Sequence, residues 1–193
     1  VLDKGDYSGP AGARLLLRDP RLELGVLEVA RGGILRRGLP VGHARVAVVT
    51  NVAADHLGQY GINTVAELAG VKLSVYRALA PGGQLVLNAD DARVVAAAPE
   101  DAHQVWFSLN PQHPKILAAR SAERPCGWLE AGWLMLSDGG VTTRLIAAQD
   151  VPLTLGGDAR YNIENALAAG LAARALGLPD AAIHATLAAF RSD

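Results

Sequence analysis

The stretch from Ala44 to Ala80, ARVAVVTNVAADHLGQYGINTVAELAGVKLSVYRALA, decides the fold of this chain. It opens with a short apolar run at positions 46–49, whose length and β-branching are typical of a strand that is buried on both faces. Thr64 and Glu67 then have the spacing of a capping box, which predicts that a helix begins here. Pro81-Gly82 predicts where that helix ends. A buried strand that leads through a loop into a helix indicates an α/β protein.

One lysine interrupts the apolar face of this predicted helix. Lys72 falls in the middle of a stripe that forms at about 100° per residue from Val65, Leu68, Ala69, Val75, Tyr76 and Leu79. Burying an unpaired ammonium is costly, so Lys72 either snorkels to water or serves a function. Ligands of an open α/β sheet bind beyond the carboxyl ends of its strands. Asp55 and His56 follow such a strand, which favours the functional interpretation.

The remaining pattern alternates between strands and helices, as in a mostly parallel sheet flanked by helices. We predict a turn at Arg31-Gly32-Gly33, which leads into a basic segment that ends at Gly38. We predict a loop and helix cap at Asn88–Asp91. The predicted helices are 11–18, 161–176 and 181–190, and the predicted parallel strands, besides 46–49, are 22–30, 84–87 and 103–108.

From Cys126 onward the pattern changes to a β-hairpin or small antiparallel subsheet, with segments 128–136 and 141–147 around the turn Ser137-Asp138-Gly139-Gly140. The tryptophans of this region fit either a stacking platform or packing against the main domain, and we favour packing.

Composition limits the classes of function. The chain has 193 residues, enough for one domain, and a formal net charge of −1, so there is no electrostatic reason to expect a nucleic-acid or membrane partner. The single cysteine, Cys126, excludes an internal disulfide and agrees with a reducing compartment. No signal peptide or membrane-spanning segment is apparent, so we expect a soluble, cytoplasmic protein. Because the chain begins with Val1 instead of methionine, we expect it to be a piece of a longer polypeptide.

The sequence resembles the Mur ligases, which use ATP to join an amino acid to a carboxylate through an acyl phosphate. The resemblance is carried by Thr50-Asn51, Asp55-His56-Leu57, Gly61 and Lys72. The stretch from Leu27 to Leu39, LEVARGGILRRGL, is further similar to the Mur-like module of cyanophycin synthetases. Those enzymes add arginine to the side chains of a poly-aspartate backbone.

The resemblance implies a magnesium site near the γ-phosphate of ATP, formed by Glu28 and His56. Carboxylate and imidazole are together able to hold such a cation. Lys72 matches the lysine that many Mur ligases convert to a carbamate, which makes it a third candidate for the metal and for catalysis. Taken without the resemblance, a residue such as Glu28 is more often a strand-end ion-pair partner, and one such as His56 is more often a hydrogen-bonded loop histidine.

Further polar residues are candidates for the nucleotide and the acceptor. The motif Asn162-Ile163-Glu164-Asn165-Ala166 resembles the family segment near the adenine and ribose of ATP. Asn162 and Asn165 are therefore expected to contact the nucleotide, and so is Asn51. The alternative for Asn162 and Asn165 is that they cap the N-terminus of the helix. Arg31, Arg36 and Arg37 fit either an acidic peptide acceptor or a solvated basic turn.

The chain also departs from the family pattern. It contains no G-x-x-x-x-G-K-[ST] phosphate loop, which the family carries upstream, and the family's carboxy-terminal domain is not recognisable. We therefore interpret residues 1–193 as a partial central domain of an acid–amino-acid ligase, inactive without the rest of the same polypeptide. A folylpolyglutamate or peptidoglycan ligase is an alternative, as is a catalytically inactive scaffold module, and homo-oligomer formation stays open.

Overall fold

The computed structural model describes residues 10–55 and 57–191, so His56 lies outside the described residues. The helices are α1 (Pro10–Leu17), α2 (Arg31–Arg37), α3 (Val65–Leu73), α4 (Ala92–Ala97), α5 (Pro114–Ser121), α6 (Arg160–Ala175) and α7 (Asp180–Ala189). The strands are β1 (Ala44–Val49), β2 (Leu79–Asn88), β3 (His103–Ser108), β4 (Cys126–Glu130), β5 (Trp133–Asp138) and β6 (Val141–Ala147). Short 3-10 turns cover Ser74–Ala78, Ala148–Asp150 and Pro152–Thr154.

The described strands form one six-stranded sheet in the order β1-β2-β3-β4-β5-β6. Strands β1 to β4 run parallel, whereas β5 and β6 are antiparallel to their neighbours. The predicted fold class, a mostly parallel sheet flanked by helices with a small antiparallel part, is therefore confirmed. The antiparallel part does not form a separate unit, because β4 continues the parallel sheet directly.

Alternate residues of the central strands enter two cores, one on each face of the sheet, as the period of two requires. Leu85 and Leu87 of β2 pack on the face covered by α3, α4 and α5, and Val86 points to the other. The second face is covered by α6 and α7, whose contributions include Leu167 and Ile183. No described helix is long and apolar enough to span a bilayer.

The predicted strand at 22–30 is wrong. The structure assigns no strand there, and Leu24 and Val26 are 47% and 85% exposed. A strand needs a neighbouring backbone ladder, and no described strand pairs with this segment. Strand β1 therefore lies at the edge of the described sheet. Its Val48 is 40% exposed, so β1 is not buried on both faces as the sequence predicts.

Two helices also differ from their predictions. The turn at Arg31-Gly32-Gly33 is the start of α2, whose end at Gly38 agrees with the sequence. Helix α3 begins at the predicted capping box but ends at Leu73, seven residues before the expected end. The Ser74 hydroxyl donates to the carbonyl of Val71 at 2.6 Å, which competes with helical bonding, and the chain continues as a 3-10 turn.

Pro81-Gly82 therefore lies inside β2 instead of ending a helix. The β1–β2 register jumps there, from Ala44↔Leu79 to Val46↔Gln84. Glycine fits at position 83 because a Cβ atom would lie 3.0 to 3.2 Å from three backbone carbonyl oxygens, which is tighter than nine in ten real Cβ contacts.

Candidate functional site

The carboxyl ends of β1, β2 and β3 are joined by hydrogen bonds between polar residues. We call Val52, Asn88, Asp90, Asp91, Ser108 and Glu164 the carboxyl-edge network. Asp91 accepts from the backbone amide of Val52 at 2.7 Å and also caps α4. This carboxylate therefore ties the loop after β1 to the loop after β2.

Asp90 makes the corresponding connection to β3. Its two carboxylate oxygens accept from the Ser108 hydroxyl at 2.5 Å and from the Leu109 amide at 2.6 Å. The Asp90 amide in turn donates to the Asn88 side-chain oxygen at 2.8 Å. Asn88 and Ser108 are 2% and 0% exposed, so these bonds satisfy polar groups that burial would otherwise make costly.

Glu164 brings the first turns of α6 to the same place. Burial raises the pKa of the Glu164 carboxyl, and repulsion by Asp90 raises it further, while a hydrogen bond with the Asn88 side chain opposes both effects. Glu164 directly precedes Asn165, and Val52 directly follows Asn51. The network thereby draws two of the predicted nucleotide contacts toward the same edge of the sheet.

The asparagine candidates differ in how much of their hydrogen-bonding capacity is free. The Asn162 amide donates to the Leu153 carbonyl at 2.6 Å, so its side chain supports the loop before α6. It does not cap the helix, because the N-cap residue is Ala159 and no side chain caps it. Asn51 and Asn165 are exposed and form no side-chain hydrogen bond with another described residue, so both are free for a ligand.

Helix α2, which follows Glu28, contacts both the loop after position 56 and the helix that carries Lys72. The Arg31 guanidinium donates to the Gln59 side chain at 2.9 Å, and Arg36 lies 5.7 Å from the Tyr60 ring centroid. These contacts hold α2, which begins three residues after Glu28, against Gln59 and Tyr60, which follow position 56 by three and four residues. Helix α2 also packs against α3, which carries Lys72.

The side chains of Glu28 and Lys72 themselves are free in the described part of the chain. Glu28 is exposed, Lys72 is half-buried in the last turn of α3, and neither forms a hydrogen bond or ion pair with another described residue. Among the described residues no group of three His, Cys, Asp or Glu is able to hold a metal ion. A magnesium site at this position would thus depend on Glu28 together with residues such as His56 and a modified Lys72.

Sequence reasoning missed most of the carboxyl-edge network. The sequence pattern predicts the run Asn88-Ala89-Asp90-Asp91 only as a loop and helix cap, and it assigns no role to Glu164. The signal was present, because a strand followed at once by amide and carboxylate side chains indicates the ligand-binding edge of an α/β sheet.

The mostly parallel sheet, its carboxyl-edge network and the flanking helices define an α/β domain with polar side chains gathered at the carboxyl ends of its strands. A family model, the Mur ligase middle domain, matches residues 12–173. The chain therefore belongs to the Mur ligase middle domain family.

Within this family, the chain is similar to cyanophycin synthetases and to a cell-wall ligase. The chain is 42% identical over its whole length to a cyanophycin synthetase of Trichormus variabilis, and 44% identical over 92% of its length to a cyanophycin synthetase of Synechocystis sp.. It spans only 21% and 20% of those two proteins. A UDP-N-acetylmuramoylalanine--D-glutamate ligase of Frankia casuarinae is 40% identical over 75% of the chain and 27% of that protein. The predicted resemblance to cyanophycin synthetases is confirmed, and these relatives are all ligases.

A search of solved structures found a pseudomurein peptide ligase type C from Methanothermus fervidus. It is 20% identical and covers 77% of this chain and 34% of that one, with a TM-score of 0.47.

Proposed function

We propose that this chain is part of an ATP-dependent ligase, similar to cyanophycin synthetase, that joins an amino acid to a carboxylate of an acidic peptide. Arginine is the amino acid we expect. The proposal is supported above all by the carboxyl-edge network, which ties the ends of three parallel strands to the start of α6. The expected nucleotide contacts adjoin this network at two points, and the relatives named above are ligases.

In the proposed reaction the acceptor carboxylate takes the γ-phosphoryl group of ATP, which leaves ADP and an acyl phosphate. The amine of the incoming amino acid then attacks the acyl carbon. Phosphate leaves, the nitrogen loses a proton, and an amide bond remains. Little of this chemistry requires a covalent contribution from the protein, so its task is to position the groups and stabilise their charges.

Within this scheme Glu28 and His56 would hold magnesium, for which carboxylate oxygen is a suitable ligand. When bound, magnesium neutralises charge on the transferring phosphate. Asn51 and Asn165 present free amide groups for the nucleotide, while Asn162 supports the loop beneath it through Leu153. The phosphate loop and the amino-acid-binding domain would come from the rest of the same polypeptide.

Lys72 has a separate proposed role. As an ammonium, this half-buried group would repel a nearby magnesium ion. Its neutral amine is able to add CO2 with loss of one proton, which gives a carbamate anion that would attract the metal. The absence of an ion pair on Lys72 among the described residues agrees with a side chain that is modified in the working enzyme.

The experiment is an assay of the complete polypeptide that carries this chain. ADP release and amide formation would be measured with ATP, magnesium, a panel of amino acids and a short aspartate peptide as acceptor. We expect ADP release to require both the peptide and the amino acid, with arginine the best substrate. Turnover with D-glutamate as the added amino acid, or with a folate as the acceptor, would favour the other Mur-type ligases, and no turnover with any combination would favour an inactive scaffold.

A further inference from the structure

Helix α6 lies across one face of the sheet and contacts β1 to β5. Its buried residues are Ile163, Ala166, Leu167, Ala168, Gly170 and Leu171. Half of these are alanine or glycine, which offer few side-chain atoms to interlock with the strands. Apolar burial is also non-directional. It therefore holds α6 against the sheet, but it determines the exact position of the helix start less strictly than a directional hydrogen bond does.

Two side-chain hydrogen bonds hold the first turns of α6. The Asn162 amide donates to the Leu153 carbonyl at 2.6 Å, which ties the helix to the segment before it. Glu164 forms a hydrogen bond with the side chain of Asn88, the last residue of β2. The N-cap position of α6 has no side-chain cap, so these two bonds take the place of a cap in fixing where the helix starts.

The direction of the bond between Glu164 and Asn88 follows from the other contact of the asparagine. The Asn88 side-chain oxygen accepts from the Asp90 backbone amide at 2.8 Å, which leaves the side-chain nitrogen to face Glu164. Burial and then the Asp90 carboxylate raise the pKa of Glu164, whereas the bond with Asn88 lowers it. A lowered pKa is expected when the partner donates to the carboxylate. Asn88 is therefore the donor and Glu164 the acceptor.

Asn88 is itself held firmly in the sheet. Its side chain belongs to a residue that is only 2% exposed, and its partner Asp90 accepts from the Ser108 hydroxyl at 2.5 Å and from the Leu109 amide at 2.6 Å. A helix that is bonded to Asn88 is thereby fixed relative to the ends of β2 and β3 together.

Asn165 directly follows Glu164 and is exposed. Its side chain forms no hydrogen bond with another described residue, so its direction is set by the backbone of α6. That backbone is held by Asn162 on one side of Asn165 and by Glu164 on the other. A binding group that is already directed before the ligand arrives loses less freedom on binding, and this raises the affinity.

We propose that Glu164 is a positioning residue of the nucleotide site: by accepting from Asn88 it fixes the start of α6, so that the Asn165 amide is directed toward the nucleotide. Glu164 itself does not touch the ligand in this scheme. The inference rests on the proposed function, because it takes Asn165 as a nucleotide contact. It adds that the affinity for ATP depends on a hydrogen bond in which no ligand atom takes part.

The test uses the complete polypeptide and measures the Kd for ATP by isothermal titration calorimetry, together with KM and kcat for amide formation. Glu164→Leu removes the acceptor and introduces a good helix former. Its Kd and KM for ATP should rise about tenfold, as expected for the loss of a hydrogen bond to a charged group. The kcat value should change less than KM, because Glu164 is not proposed to contact the transferring phosphate.

Reversing the polarity of the bond separates positioning from simple packing. Asn88→Asp keeps an oxygen for the Asp90 amide but loses the donor that faces Glu164, so ATP affinity should fall here too. Asn88→Asp/Glu164→Gln restores a donor and an acceptor, because the glutamine amide donates to the introduced carboxylate, and most of the affinity should return. A double variant that binds ATP no better than Asn88→Asp would contradict the inference. These two variants also keep the test if Glu164→Leu does not fold.

The control is Arg174→Gln, at the other end of α6. Arg174 donates to Asp180 at 3.0 and 2.6 Å, so this variant also loses a charge-assisted contact of the helix, but it should bind ATP as the wild type does. An equal loss of affinity in Arg174→Gln and Glu164→Leu would overturn the inference. If the wild type binds ATP and Glu164→Leu binds it equally well, the inference alone is overturned. If the wild type does not bind ATP, the proposed function is overturned with it.

Discussion

Lys72 is a half-buried cation without a described partner, in the last turn of α3. If it becomes a carbamate, Lys72→Ala should reduce turnover of the complete enzyme by about 100-fold or more, and a small added carboxylate should restore part of it. Lys72→Arg should remain inactive, because arginine keeps the positive charge but does not form the carbamate. Steady-state kinetics measure both effects. Normal turnover of the arginine variant would contradict the carbamate and show that Lys72 is only a snorkelling cation.

Glu164 gives a prediction about pH. Its pKa is raised in the folded chain, first by burial and then by Asp90, so folding favours the protonated form. The stability contribution is therefore greatest below the unfolded pKa and decreases as the pH rises through the folded pKa. Glu164→Gln removes this titration while keeping an acceptor for Asn88.

We expect Glu164→Gln to flatten the dependence of unfolding free energy on pH above the ordinary glutamate pKa of 4.5, and to stabilise the chain at neutral pH. Urea unfolding at several pH values measures this. Glu100→Gln, at an exposed position, is the control and should leave the profile unchanged. A steeper profile for Glu164→Gln than for wild type would contradict the assigned burial effect.

At the residue scale, the sequence predicts which side chains are free for a ligand better than it predicts which side chains contact one another. Glu28, Lys72 and Asn51 were proposed from their positions relative to a strand and from a resemblance, and their roles remain predictions. The bonds of Asp90 to Ser108 and of Asp91 to Val52 depend on residues 18 and 39 positions apart. No local pattern encodes such pairings, since they arise only when the strands are aligned.

Among the elements, α3 is the one whose start the sequence predicted most directly. The Thr64 side chain accepts from the Glu67 amide at 3.2 Å, and the Glu67 carboxylate accepts from the Thr64 amide at 2.9 Å. Thr64→Ala should reduce the free energy of unfolding by about 1 kcal/mol, as measured by urea denaturation. Thr64→Ser retains the hydroxyl and is the matched control. Equal losses in both variants would indicate a packing role for the threonine methyl group instead of a cap.

The elements that sequence reasoning missed share a dependence on tertiary partners. Helix α5 has only Pro114 at its first turn and a His113 cap as local signals, and it forms because Ile116 is buried beneath it. Segment 22–30 has the composition of a strand but lacks a described partner, so it forms none. Strands β2 and β3, apolar and flanked by turn residues, were predicted because their local signals and their environment agree.

The whole molecule spans about a fifth of the length of its cyanophycin synthetase relatives, and its sequence contains no G-x-x-x-x-G-K-[ST] loop. Backbone amides of such a loop supply much of the binding to phosphate groups. We therefore predict that the 193-residue chain by itself has no ligase activity and binds ATP more weakly than about 1 mM. Isothermal titration calorimetry and an ADP-release assay measure these properties, and turnover by the isolated chain would contradict the prediction.

The central claim is that this chain supplies the metal side of a ligase site, and the most direct test compares two glutamates of one segment. Glu28 and Glu23 are both exposed and lie five residues apart, but only Glu28 is proposed to hold magnesium. In the complete enzyme at limiting magnesium, ATP-dependent amide formation should fall about 100-fold or more in Glu28→Ala and stay at the wild-type rate in Glu23→Ala. Higher magnesium should recover part of the Glu28→Ala activity. Wild-type turnover of Glu28→Ala at limiting magnesium would contradict the claim.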